Sequence, residues 1–121
     1  NFYAGVHIDS TIVPLREGVA ICNKPRVKSK RYLPPCMKDW EIIWVEDVTA
    51  QVFYQYPYAS KWIGLNMLSI NKDTVIVDTA QLELSTVLEK KGFTVIPHTL
   101  RHSRTLGGGH HCVTLDTWRE N

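Results

Sequence analysis

The pattern that most limits the fold is a strand–strand–helix–strand order between residues 62 and 97. Residues 62–70 and 74–77 are apolar runs on either side of Asn71-Lys72-Asp73, which predicts a hairpin. Residues 80–91 then show helical spacing of leucine and valine, and Gly92 supplies a helix stop. Residues 93–97 form the next predicted strand. This order predicts an α/β fold.

A weaker version of the same unit precedes it. Residues 6–13 and 19–22 are rich in β-branched side chains and predict a second hairpin, and residues 40–45 predict its third strand. The connection at 24–39 is basic and proline-rich, so we expect at most a short helix there. With a last strand at 111–117, the chain is predicted to be a single domain, residues 1–121, with repeat units at about 6–46 and 62–117.

The composition is that of an ordinary globular chain. Of 121 residues, 44% are hydrophobic and 21% charged, and the formal net charge is only +2. The basic run at 24–31 is interpreted as a solvated loop, so neither a nucleic-acid nor a membrane partner is expected. The three cysteines show no CxxC spacing, which favours reduced thiols and predicts a cytoplasmic protein.

The segment 107–112, three glycines followed by His-His-Cys, is the strongest candidate for chemistry. Glycines allow tight turns and close approach of the backbone to a ligand, and Cys112 follows them directly. A cysteine nucleophile needs a base and an orienting group, which His7 and Asp9 can supply from one face of the first strand. On these residues alone, however, a buried core cysteine is the commoner interpretation of Cys112.

The histidines near the C-terminus offer a second interpretation, a metal cluster. His98, His102, His110 and His111 would join Cys112 in it. Adjacent histidines on a strand point to opposite faces, and none of these residues has the spacing of a zinc finger. We therefore predict neither a metal site nor a cofactor.

Five segments together resemble the glycine and inosamine-phosphate amidinotransferases, members of the pentein, or guanidino-group modifying, superfamily. In chain order they are His7-Ile8-Asp9-Ser10-Thr11, Asn23 with Arg26, Ser60-Lys61-Trp62 through Asn66, Val75-Ile76-Val77-Asp78 and Gly107-Gly108-Gly109-His110-His111-Cys112. The resemblance covers nearly the whole chain and implies a propeller-like ring of five ββαβ blades. Only two of these blades, from the C-terminal part, would be present here, and the ring would be incomplete unless the chain oligomerises.

The resemblance also implies a set of roles. Cys112 would attack the guanidino carbon of an arginine-like donor, and His7 would protonate the leaving amine and then deprotonate the amine acceptor. Asp9 would bind the guanidinium, and Arg26 and Ser60 would contact the carboxylate end of the substrate. A nucleophile of this kind is expected to have a lowered pKa, since the thiolate is the reactive form.

The same resemblance leaves alternatives open. The family places further acidic residues before the His-x-Asp segment, whereas only six residues precede His7 here. One expectation is therefore an amidinotransferase segment completed by blades from another chain or by its own copies as a homo-oligomer. Another is a catalytically inactive, truncated pentein that self-assembles or binds guanidino ligands. A third, hydrolysis of the intermediate by water, is less similar to this glycine-rich segment.

Overall fold

A computed structural model of the chain describes residues 7–49 and 58–119. The first unit contains strands β1 (Ile12–Arg16), β2 (Val19–Asn23) and β3 (Glu41–Val45) and the helix α1 (Lys24–Val27). The second contains β4 (Leu68–Ser69), β5 (Thr74–Asp78), α2 (Leu82–Lys90) and β6 (Thr94–His98), followed by α3 (Ser103–Leu106). Each unit builds one three-stranded sheet, in the orders β1-β2-β3 and β4-β5-β6.

The two sheets share one connectivity. In each, the first two strands are antiparallel and the third pairs in parallel with the second. A parallel neighbour requires a crossover, which α1 with its irregular continuation provides in the first unit and α2 in the second. The predicted α/β fold with two β–β–α–β units is thus confirmed, and the described strands form no closed barrel.

Both sheets contribute to a common apolar core. Buried residues of β1, β2, β3, β5 and α2 form one continuous cluster, which includes Leu15, Ile21, Ile43, Val75 and Leu88. All five residues of β2 are buried, because its other face is covered by a second cluster that includes Val27, Leu33 and Met37. A strand buried on both faces reads as a continuous apolar run rather than an alternating one, as β2 does.

The local turns follow from particular residues. Gly18 has a φ of +80° between β1 and β2, a conformation that other residues rarely adopt. Asn23 caps α1, where its Oδ1 accepts the N–H of Arg26 at 3.2 Å, and Pro25 occupies the first turn of that helix. The buried Leu84 and Leu88 attach α2 to the core.

Three predicted strands differ from the structure. The strand expected at 6–13 begins only at Ile12, after a 3-10 turn at Ile8–Ser10, and residue 6 lies outside the described residues. The turn forms because the Thr11 hydroxyl donates to the His7 carbonyl at 2.7 Å, a local bond that competes with strand pairing. Most of the run predicted at 62–70 is a 3-10 helix, Lys61–Leu65, and only Leu68–Ser69 is strand.

The strand predicted at 111–117 is also wrong. The backbone N–H groups of His110 and Cys112 bond to Asn66, and those of Val113 and Thr114 bond within the segment's own turn. Because these backbone N–H groups are already bonded, the segment does not pair with a neighbouring strand. The proposed repeat boundaries and the single-domain assignment stay predictions.

None of the helices in the described part of the chain combines the length and apolar character needed to cross a bilayer. The aromatic stretch at 50–57 lies outside the described residues.

Candidate active site

The structure gathers all five predicted site residues around one cavity of about 300 Å³. The first unit supplies the 3-10 turn and the start of α1, and the second supplies the 3-10 helix at Lys61–Leu65 and the glycine-rich segment. The lining residues are His7, Asp9, Ser10, Arg26, Tyr58, Ser60, Ile63, Asn66, Gly107 and Cys112. The cavity therefore lies where the two units meet.

Arg26 holds the turn that carries His7 and Asp9. Its guanidinium Nη1 donates to the hydroxyls of Thr11 at 2.9 Å and Ser10 at 3.0 Å. The same nitrogen lies 3.3 Å from the Ser10 carbonyl oxygen and 3.5 Å from that of His7. Arg26 is only 9% exposed, and burial lowers its pKa. This side chain is thus part of the architecture of the site as well as a lining residue.

One carboxylate oxygen joins the two ends of the site. Oδ2 of Asp9 lies 3.2 Å from Sγ of Cys112 and 3.1 Å from Nδ1 of His111. Asp9 is half-buried, which raises its pKa, but hydrogen bonds from Cys112, His111 and Asn66 outweigh burial and leave the pKa below its usual value. Asp9 is therefore ionised and accepts several donors at once.

The contact between Asp9 and Cys112 lowers the pKa of the carboxyl group but raises the pKa of the thiol. Cys112 is exposed overall, but partial desolvation, followed by the hydrogen bond and negative charge of Asp9, raises its pKa, and Gly109 and Asn66 offset this only in part. The expectation of a lowered thiol pKa is therefore wrong for this arrangement, because desolvation and the neighbouring carboxylate both disfavour the thiolate. Cys112 is a neutral thiol that donates to Asp9.

His7 and Ser60 line the cavity differently. His7 is exposed, and its carbonyl oxygen, rather than its ring, receives the bonds that close the turn. Ser60 is also exposed and precedes the 3-10 helix, where its carbonyl accepts the N–H of Ile63 at 3.1 Å. Their side chains are thus open to the cavity.

Comparison with known proteins identifies the relatives of this chain. No family model matches. An inosamine-phosphate amidinotransferase of Streptomyces griseus is 45% identical over 120 residues, which cover 98% of this chain and 34% of that protein. The L-arginine:L-lysine amidinotransferase of Pseudomonas savastanoi and the mitochondrial glycine amidinotransferase of Xenopus laevis are each 29% identical over 94% of this chain. They are covered over 31% and 27% of their own lengths, respectively.

A solved inosamine-phosphate amidinotransferase of Streptomyces griseus superimposes on the whole chain with a TM-score of 0.92 and 41% identity. The chain is homologous to the C-terminal portion of the amidinotransferases. It spans about a third of the length of the relatives it matches, 35% in the case of the solved structure. The suspected resemblance is confirmed.

Two residues of this amidinotransferase homologue were missed as parts of the site. In the sequence Asn66 is only the end of a matching segment, yet it is 2% exposed and accepts the N–H of Cys112 at 3.1 Å. His111 is there only a candidate metal ligand and a member of the matching glycine-rich segment, yet it bonds Asp9. The available signal for Asn66 was a lone amide inside the apolar run 62–68. A buried polar residue of that kind needs a partner.

The histidines do not form the metal cluster that was considered. Within residues 7–49 and 58–119, no group of three or more His, Cys, Asp or Glu is placed to hold a metal ion. His98 and His110 instead meet edge to face, with Nδ1 of His98 3.2 Å from Nε2 of His110. This contact ties the glycine-rich segment to the end of β6.

Proposed function

We propose that this chain contributes the cysteine-bearing part of an amidinotransferase active site. Cys112 takes an amidino group from an arginine-like donor and passes it to an amine. The observation that carries the proposal is the 3.2 Å contact between Cys112 Sγ and Asp9 Oδ2, in a cavity also lined by His7 and Arg26. The name of one relative, L-arginine:L-lysine amidinotransferase, supports both the donor and the amine acceptor.

Asp9 is the group that recognises the donor. A guanidinium is planar and carries several N–H donors, which a carboxylate can bind in pairs. The thiol of Cys112 and the ring of His111 donate to Asp9. A guanidinium bound to Asp9 replaces the thiol as donor and brings the guanidino carbon next to sulfur.

Binding of the donor also activates the nucleophile. The negative charge of Asp9 contributes to the raised pKa of Cys112, although burial is the larger cause. A bound cation neutralises this charge and stabilises a thiolate beside it. Binding of a guanidinium thus increases the fraction of Cys112 that is thiolate.

The transfer takes place in two half-reactions, the first with the donor and the second with the acceptor. Cys112 forms a C–S bond to the guanidino carbon, the C–N bond to the donor breaks, and the thiol proton passes through His7 to the leaving amine. In the second half, His7 takes a proton from the acceptor amine, which forms a new C–N bond as the C–S bond breaks; the sulfur leaves as a thiolate and regains its proton from His7. A positioned acid–base group of this kind contributes about 10²–10⁴-fold to the rate.

Arg26 and Ser60 are proposed to contact the carboxylate end of the donor. Both line the cavity. Because Nη1 of Arg26 already binds the turn residues Ser10 and Thr11, the remaining part of its guanidinium is what serves the substrate.

The chain is proposed to work with complementary structure, either from the rest of a longer chain, from another chain or from its own copies. It spans about a third of its relatives' length, and the family resemblance implies further carboxylates from other blades. An apolar groove of about 730 Å³ that includes Asp9, Val13, Met37 and Trp40 borders the site and offers a contact surface for such structure.

A second candidate function is guanidino-ligand binding without turnover. The observation in its favour is the raised pKa of Cys112, since a neutral thiol attacks poorly. In this case Asp9 binds the guanidinium and no covalent product forms.

The test is the intact mass of the protein after incubation with excess L-arginine and acid quenching. Peptide mapping then locates any amidino group, with Cys112→Ser as the negative variant and Cys36→Ser as a matched control at an exposed thiol. Transfer predicts one amidino group, lost only in Cys112→Ser. Arginine binding without an adduct supports the second function, and an adduct that persists in Cys112→Ser contradicts the proposal.

A further inference from the structure

Asn66 connects three parts of the site whose relative positions matter. They are the 3-10 helix Lys61–Leu65, the glycine-rich segment and Asp9. Asn66 ends the 3-10 helix, and its own N–H bonds to the Ile63 carbonyl at 2.9 Å. Its backbone carbonyl accepts the N–H of His110 at 2.9 Å. The residue is 2% exposed, so these bonds are made away from solvent.

The side chain of Asn66 completes the connection. Oδ1 accepts the backbone N–H of Cys112 at 3.1 Å. Because Oδ1 is used as an acceptor, the NH₂ group is the part of Asn66 available to Asp9 and Cys112, and the side chain lowers the pKa of both groups. One buried amide thus binds the cysteine backbone and favours the charged forms of the carboxylate and of the thiol.

The glycine at 109 is explained by this packing. A Cβ atom at that position would lie 2.7 Å from both Cβ and Oδ1 of Asn66, closer than real atoms approach. Gly107 has a different role, since its φ of +87° makes the turn. The close approach of Gly109 brings the segment 110–112 within hydrogen-bonding distance of Asn66.

We propose that Asn66 is a positioning residue for amidino transfer, which binds the backbone of Cys112 and so holds the thiol against Asp9. The inference rests on the proposed function, because it assigns a role within that same site. Without Asn66 the segment 110–112 loses its hydrogen bonds to the end of the 3-10 helix Lys61–Leu65, and the amide no longer favours the thiolate. A residue that only filled space would have neither effect.

Two variants separate these contributions. Asn66→Asp keeps an oxygen acceptor for the Cys112 N–H but replaces the amide donor with a second carboxylate beside Asp9. Gly109→Ala leaves every polar group in place and displaces Asn66 sterically. The second variant also keeps the test available if the first does not fold, and circular dichroism establishes the fold of each.

The measurement is the rate of alkylation by iodoacetamide as a function of pH, followed separately at Cys112 and Cys36 by peptide mass. The exposed Cys36 is the internal reference. We expect the midpoint for Cys112 to move to higher pH in Asn66→Asp, where a second carboxylate replaces the amide, and to lower pH in Gly109→Ala, where the thiol is no longer held against Asp9. Relative to Cys36, its rate at pH 8 falls several-fold in the first variant and rises in the second. Folded variants whose Cys112 profile matches that of the unmodified sequence would overturn the inference.

The arginine adduct distinguishes this inference from the proposed function. A shifted profile in a chain that forms no adduct supports the positioning role and counts against transfer. An unshifted profile, with equal adduct in the unmodified chain and Asn66→Asp, refutes the positioning role and leaves transfer intact.

Discussion

Replacement of Arg26 by methionine tests whether this residue is structural or serves only the substrate. Methionine keeps much of the apolar stem but removes every donor that Nη1 directs at the turn. The two N–H groups of one nitrogen make at most two good hydrogen bonds among its four contacts. A bond from a charged donor contributes about 1.5–3 kcal/mol, and buried methionine recovers part of the loss, so we expect a cost of about 3 kcal/mol.

The assay is urea denaturation followed by tryptophan fluorescence, which gives the free energy of unfolding. Arg31→Met is the matched control, because Arg31 is exposed, stacks over the neighbouring Tyr32 ring, 4.6 Å from its centroid, and donates to the Tyr32 hydroxyl. We expect less than about 1 kcal/mol for the control, as for most surface substitutions. A loss below 1 kcal/mol in Arg26→Met, together with loss of arginine binding, would refute the structural role.

Three further predictions concern the site and the core. Asp9→Asn removes the negative charge that helps to raise the pKa of Cys112, so the pH profile of its alkylation should move to lower pH; an unchanged or higher midpoint contradicts the geometry. Burial raises the pKa of Cys22 from 9.0 to about 11, so its contribution to stability is present below pH 9 and lost as pH rises towards 11. The loss corresponds to about 2 kcal/mol, and urea denaturation of Cys22→Ala across this range should show a correspondingly smaller decline. Gly64→Ala places a Cβ 2.5 Å from the buried Gln81 amide and should cost about 1–3 kcal/mol in the same assay; no loss would mean that Gln81 moves freely.

Much of the fold follows from local sequence. The run at 19–22 and the strand–helix–strand order at 74–97 were predicted within one or two residues, because apolar periodicity and Gly92 act locally. The repetition of one unit then implied two sheets of the same connectivity. The sequence therefore predicts correctly whether a segment is helix or strand wherever the hydrogen bonds of that segment go to its sequence neighbours or to an apolar strand.

The predictions of secondary structure fail in segments whose hydrogen bonds go to residues far away in the sequence. The segment at 111–117 alternates like a strand, but its first donors are captured by Asn66, 46 residues from Cys112. The turn before β1 combines the local bond from Thr11 to the His7 carbonyl with bonds from Arg26, which lies 15 residues beyond Thr11. The spacing of apolar residues along the chain contains no information about such long-range contacts.

For the candidate site too, some features were predicted from the sequence and others were not. The family resemblance supplied Cys112, His7, Asp9, Arg26 and Ser60, and the structure places them around one cavity, although their roles stay proposals. The direct contact of Asp9 with Cys112, 103 residues away, could not be predicted, and together with the larger effect of desolvation it raises the thiol pKa that was expected to be lowered.

The central claim is that Asp9 makes Cys112 a nucleophile selective for planar cations. The most direct test compares alkylation by chloroacetamidine, which is cationic, with alkylation by chloroacetamide, its neutral analogue of similar shape. The rate ratio is measured at Cys112 and at the exposed Cys36 of the same molecule. We predict a ratio that favours the cation at Cys112 only, and that falls to the Cys36 value in Asp9→Asn. Equal ratios at the two cysteines of the unmodified chain would contradict the claim.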